Sequence, residues 1–220
     1  MATPQLSAQT QPSTTFNDSG VKRKVGLHDI SLAYEGLFDS ASQKSHAALN
    51  DLRTNRRIVS VYYEGDTLGN EGIVLNSAHA ETYESSITVG EIVPLNAQIS
   101  QSGVEKQVVS LYAKPTAAIT ATTNGSSVDN GASSSAGGSL IVHVFTFTAS
   151  GGNAQWIAHI QESSDDGAAD AWADLATVNI GAVGGFEVTW TGATERYLRV
   201  QFELDATSGS LLAQAGAHRG

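Results

Sequence analysis

The chain has 220 residues, 40% of them apolar and only 15% charged, with no cysteine and a formal net charge of −10. That length suits one domain or two small ones with a real core, and the absence of cysteine excludes disulfide scaffolds, thiolate metal sites and thiol nucleophiles. The shortage of Lys and Arg excludes a protein that grips nucleic acid by its phosphates. No run of about 18 apolar residues marks a membrane span, and residues 1–16 lack the basic start and apolar core of a signal peptide, so a cytoplasmic origin or release by lysis is expected.

Residues 1–20, rich in Thr, Ser, Gln and Pro, read as a flexible arm. In residues 26–39, Ile30, Leu32 and Tyr34 alternate with Ser31, Ala33 and Glu35, the period of a half-buried strand. Gly36 suggests a bulge or bend in it. A helix is predicted over residues 40–54, capped by Asp39 or Ser40, anchored by Leu49 and Leu52 and ended by Asn55. Strands follow at 58–64, 73–85 and 91–100, with a turn-rich loop over 65–72. Pro94 cannot donate to a ladder, which predicts an edge or a bulge there. Residues 113–139 are a Gly/Ser/Thr-rich linker with one short strand at 117–122. Strands are then predicted at 140–147, 154–163, 184–190 and 196–204. The fold class is mainly β: a β-sandwich or barrel with one helix, followed by a second all-β sandwich.

Catalytic signatures are missing from the chain: no nucleophile elbow, P-loop or dinucleotide fingerprint occurs. His143 and His159 with Glu162 could form a metal site, but isolated hydrogen-bonded histidines on strand faces are the better reading. Asp165, Asp166, Asp170 and Asp174 could hold a hard cation, but their spacing is not that of an EF-hand loop. Asp166–Gly167 reads instead as a hairpin turn needing φ > 0. Trp156, Trp172 and Trp190 could stack on a sugar, although core packing is favoured. Seven of the twelve bases lie between Lys22 and Arg57, compatible with a basic patch.

Gly26, Leu27, Asp29, Gly36, Phe38 and Asp39 form a G-L-x-D…G-x-[FY]-D segment. Together with Ser85, Ser86, Val89, Gly90, Val93, Ala97 and Gly103, it resembles the major tail tube proteins of long-tailed bacteriophages. Ile87 and Thr88 depart from the shorter spacing usual there. The run from His159 to Leu175, with residues 196–204 after it, is similar to a sandwich domain appended to phage virion proteins. The resemblance divides the chain into an arm (1–20), a tail tube domain (21–112), the linker (113–139) and a C-terminal decoration domain (140–220). An extra strand found before G-L-x-D in that family is missing here or built from residues 6–10.

The resemblance implies hexameric rings stacked into a hollow tail tube, in a virion assembled in the bacterial host cytoplasm. Partners would be further copies of the chain, the tape measure, tail tip and terminator proteins, and double-stranded DNA passing without specific binding. Neither enzymatic activity nor a cofactor is expected. Thr15, Phe16, Glu64, Asp66, Leu68, Asn70 and Glu71 would make ring-to-ring contacts. Glu81, Glu84, Glu91 and Gln98, with Gln101, would face the lumen. The alternatives are a capsid decoration or head–tail connector protein and a carbohydrate-binding β-sandwich module.

Overall fold

The computed structural model describes residues 2–12, 23–39, 41, 44–86, 93–101 and 104–220. In chain order the elements are β1 (Ala2–Pro12), β2 (Arg23–Leu37), α1 (Ser45–Thr54), β3 (Arg57–Tyr62), β4 (Glu71–Ser85), β5 (Pro94–Gln101), β6 (Lys106–Tyr112), β7 (Thr123–Asn124), β8 (Val128–Asp129), β9 (Gly138–Ser150), β10 (Gln155–Ser163), β11 (Ala173–Ile180), β12 (Gly184–Trp190), β13 (Tyr197–Asp205) and β14 (Ser208–Arg219). The protein is mainly β, built from antiparallel sheets in the manner of a β-sandwich. It divides into two compact units, Met1–Val59 with Val74–Glu105 and Ser60–Ile73 with Lys106–Gly220.

In the first unit the strand order is β1-β2-β5-β4. Alternation decides the faces: Leu95, Ala97 and Ile99 are buried, whereas Asn96 and Gln98 are exposed. The described part of the expected arm is strand β1, paired along β2 from Ala2↔Tyr34 to Pro12↔Arg23. Residues 6–10 do lie on this added strand. β2 runs to Leu37 without a register break at Gly36, so the expected bulge is absent. The glycine serves Tyr34 instead, whose hydroxyl would lie 2.4 Å from a methyl at that position. β5 lies between β2 and β4 and is no edge; Pro94 is tolerated because it is the strand's first residue and is exposed.

The helix starts five residues later than predicted, with Lys44 at its N-cap and no side-chain cap. Asp39 shapes the approach: its Oδ1 accepts from the Ala41 amide at 2.9 Å and its carbonyl from the His46 amide at 3.1 Å. Leu49 and Leu52 are the buried anchors and Asn55 is the C-cap, both as predicted. Past the helix end, Arg57 Nε donates to Asp51 Oδ2 at 2.6 Å, and Arg56 reaches Ser77.

In the second unit, β6-β14-β9-β12 form one layer and β11-β10-β13-β7 the other, with β8 also on β13. Trp156, Ile160, Leu198, Val200 and Phe202 of one layer pack with Leu140, Val142 and Leu211 of the other. The compact units thus depart from the expected segments, since β6 and residues 60–73 join the second unit. The reason is a long-range ladder, β6 on the chain's last strand. β6, β11 and β14 were not among the predicted strands; β14 is rich in Ala, Gly and Ser, which carry little β signal. The short strand expected at 117–122 is a single bridge, Ile119 to Leu211.

Candidate functional site

The exposed face of β2, β5 and β4 gathers some of the predicted lumen residues. Gln98 stands between Ala33 of β2 and Thr82 of β4, and its amide donates to Thr82 Oγ1 at 3.1 Å. One pair along, Asn96 stands between Glu35 and Glu84. Glu81 is exposed at the β4 bulge between Ala80 and Thr82. Glu91 lies outside the described residues, and Gln101 is buried, so it does not join this face. Glu35 was missed as a site residue, although its outward position was legible in the alternation of Ile30, Leu32 and Tyr34. The result is a patch of carboxylates, amides and a hydroxyl with no base at these register positions.

The predicted ring-to-ring residues divide. Thr15 and Phe16 lie outside the described residues. Glu71 begins β4, which shortens the expected loop to residues 64–70. Two of its residues are tied inward. Asp66 Oδ2 accepts from the Lys114 amide at 2.9 Å, and Asn70 Nδ2 donates to the Glu64 carbonyl at 3.0 Å. The backbone is laced to β6 through Gly69 N to Ser110 O (2.8 Å) and Ser110 N to Asn70 O (2.9 Å). Glu64 and Leu68 remain exposed.

The motif from His159 to Leu175 closes upon itself. Asp166 and Gly167 both have positive φ, 64° and 77°, as the turn reading required. Asp165 receives the Ala168 and Ala169 amides at 3.0 and 2.7 Å, and these bonds, the Ala169 one foremost, hold its carboxyl below the usual range. Ser163 Oγ accepts from the Gly167 amide at 2.8 Å and donates to the Asp170 carbonyl at 2.9 Å. Trp172 lies between Gly167 and Arg199, whose guanidinium carbon is 4.3 Å from a Trp172 ring centroid.

From Arg199 a ladder of side chains crosses three strands. Arg199 Nε donates to Gln161 Oε1 at 2.9 Å, and Gln161 Nε2 donates to Asp174 Oδ1 at 2.8 Å. His159 then bridges Asp174 Oδ2 at 2.8 Å and Glu203 Oε2 at 2.9 Å. Burial pushes the Asp174 carboxyl up, but the bonds from Gln161 and His159 outweigh it and leave it low. These side chains satisfy one another, so the ladder braces β11, β10 and β13.

His143 stands on β9 in the other layer and does not meet His159, while Glu162 accepts from the Glu195 amide at 2.7 Å. No group of three or more metal-ligating side chains suited to an ion occurs among the described residues. Trp156 is fully buried and Trp190 is 7% exposed, so neither offers a sugar platform. No helix among the described residues is long and apolar enough to cross a membrane.

No protein-family model matches the chain, and no curated protein does. Among solved structures it is similar to the Dit (gp 19.1) protein of phage SPP1, described as a paradigm of the hub adsorption apparatus in phages infecting Gram-positive bacteria. That likeness has 9% identity and a TM-score of 0.31, over 97% of this chain and 88% of that one. A structure of infectious bursal disease virus, Gx strain, is similar at 11% identity and a TM-score of 0.24, over 100% of this chain and 56% of that one. Scores this low leave the function to be read from the residues.

Proposed function

We propose that this chain is a virion structural protein, the repeating subunit of a bacteriophage tail tube, and that it works without catalysis or a cofactor. The observation that carries this reading is the exposed row Glu35–Asn96–Glu84, with Gln98, Thr82 and Glu81 beside it. A surface rich in carboxylates and amides repels phosphate at a distance, which suits a channel that DNA must traverse without sticking. The strand at the margin of that sheet supports assembly. Among the described residues β1 pairs only with β2, and a strand edge eleven residues long is a template for another chain. The partners in this reading are further copies of the chain, the other tail proteins named above, and DNA in transit.

The test is electron microscopy of the purified protein at rising concentration, alone and with a tail initiator complex. Hollow tubes or six-fold rings are expected. Replacing Glu35 and Glu84 with Lys should leave rings intact and make them retain DNA in a salt-dependent way. A monomer under every condition, or rings whose channel is lined by other residues, overturns the proposal.

A further inference from the structure

Residues 60–70 form a strap on the second unit. At one end Ser60 Oγ lies 2.7 Å from His143 Nε2. At the other, Gly69 and Asn70 are laced to Ser110. Between them Tyr62 reaches a hollow that exists because residue 216 is glycine: a methyl there would lie 2.3 Å from the Tyr62 hydroxyl. That hydroxyl is buried, and burial raises its pKa. His143 stands opposite Gln214 of β14, which is 4% exposed.

We propose that His143 is a proton-operated latch, which as a neutral ring keeps the strap closed on its sheet and on taking a proton lets the strap open. The Ser60 bond alone does not decide this, since a hydroxyl can turn from donor to acceptor. The charge decides it. Beside the ring stand the Ser60 hydroxyl of β3 and, across on β14, Gln214. The charged and titratable groups on the same face are already engaged: Glu187 of β12 with Lys106 of β6 at 2.5 Å, His218 of β14 with the Gln107 carbonyl at 2.8 Å, and Asp66 of the strap with the Lys114 amide. Among the described residues a part-buried imidazolium would gain no new carboxylate, and charging a poorly hydrated ring without one is expensive.

Burial holds the His143 pKa down to about 4. An opened strap returns the ring to water, where it takes its proton near 6.5. Opening is therefore favoured progressively as pH falls from about 6.5 to about 4, and levels off below. At pH 4.5 those two values predict an opening constant roughly 60-fold above that at pH 7. This holds whether or not the chain assembles.

Hydrogen exchange on the full chain at pH 7 and pH 4.5, corrected for intrinsic rates, tests the latch. The Tyr63 and Gly69 amides, which donate to Glu71 and Ser110, should lose protection by that factor while amides of β10 keep theirs. In His143→Gln the strap should show no such pH dependence. Unchanged strap protection in the wild type, or an equal loss in the variant, overturns the proposal. Should the variant not fold, the wild-type His143 ring resonances serve: titration near 4 supports the latch, and titration near 6.5 overturns it.

Discussion

Gly167 and Gly131 form a matched pair that isolates what Trp172 contributes to the second unit. Their φ angles are nearly identical, +77° and +78°. Each amide donates to a nearby side-chain oxygen, Ser163 Oγ and Asp129 Oδ1, in both cases at 2.8 Å. They differ in what a methyl would meet. At Gly131 nothing lies within 4 Å, whereas at Gly167 the methyl would lie 2.4 Å from Trp172 Nε1 and 2.8 Å from Cδ1. Gly131→Ala should therefore cost only the left-handed backbone penalty, about 1–2 kcal/mol. Gly167→Ala carries that same penalty and must also displace the indole from beneath Arg199. The lost stacking is worth about 0.5–1 kcal/mol, and the poorer indole packing adds a comparable amount, for a total of about 2–4 kcal/mol. Urea denaturation followed by tryptophan fluorescence reads this unit, because all three tryptophans lie in it. Equal losses in the two variants would refute the packing argument and reduce the Asp-Gly…Trp motif to a turn signal alone.

Deleting residues 2–12 should destabilise the first unit as well as any assembly, because it strips the ladder from β2, whose Ile30 and Leu32 are core residues; a truncated chain with an unchanged melting transition would contradict this. The Arg196 guanidinium, 2.6 Å from Asp129, is the main cause that draws that carboxyl down to about 2. A depressed carboxyl lends stability that is complete above its unfolded value of about 4 and is lost as pH falls toward 2. Arg196→Ala should move the Asp129 titration upward in a carboxyl NMR experiment, and an unmoved titration would show that the Gly131 amide, not Arg196, sets it.

The outward strand positions and the Asp-Gly turn were legible because their signals are local. Outward strand positions pointed to Gln98, which is exposed, and the alternation along β2 would have pointed to Glu35 as well. Asp166 and Gly167 declared their turn by residue type. The helix start was misplaced because Asp39 satisfies backbone amides as a cap would, yet does so for the approach to the helix. Pro94 was read as an edge because proline forbids a ladder donor, whereas the first position of an interior strand forbids little.

By itself, then, the sequence determined a cysteine-free, acidic, mainly β chain with one helix, its two buried helix anchors, most of its strands and the Asp-Gly turn. Each of these follows from residues a few positions apart, where backbone sterics, side-chain alternation and turn chemistry act. The tertiary structure decided which strands pair and therefore which side chains meet. It put β6 on β14, brought His159 between Asp174 and Glu203, kept it from His143, and laid Tyr62 into the hollow at Gly216. Such contacts join residues tens to more than a hundred positions apart. Their partners are chosen by the burial of the whole core, a quantity that no local pattern contains.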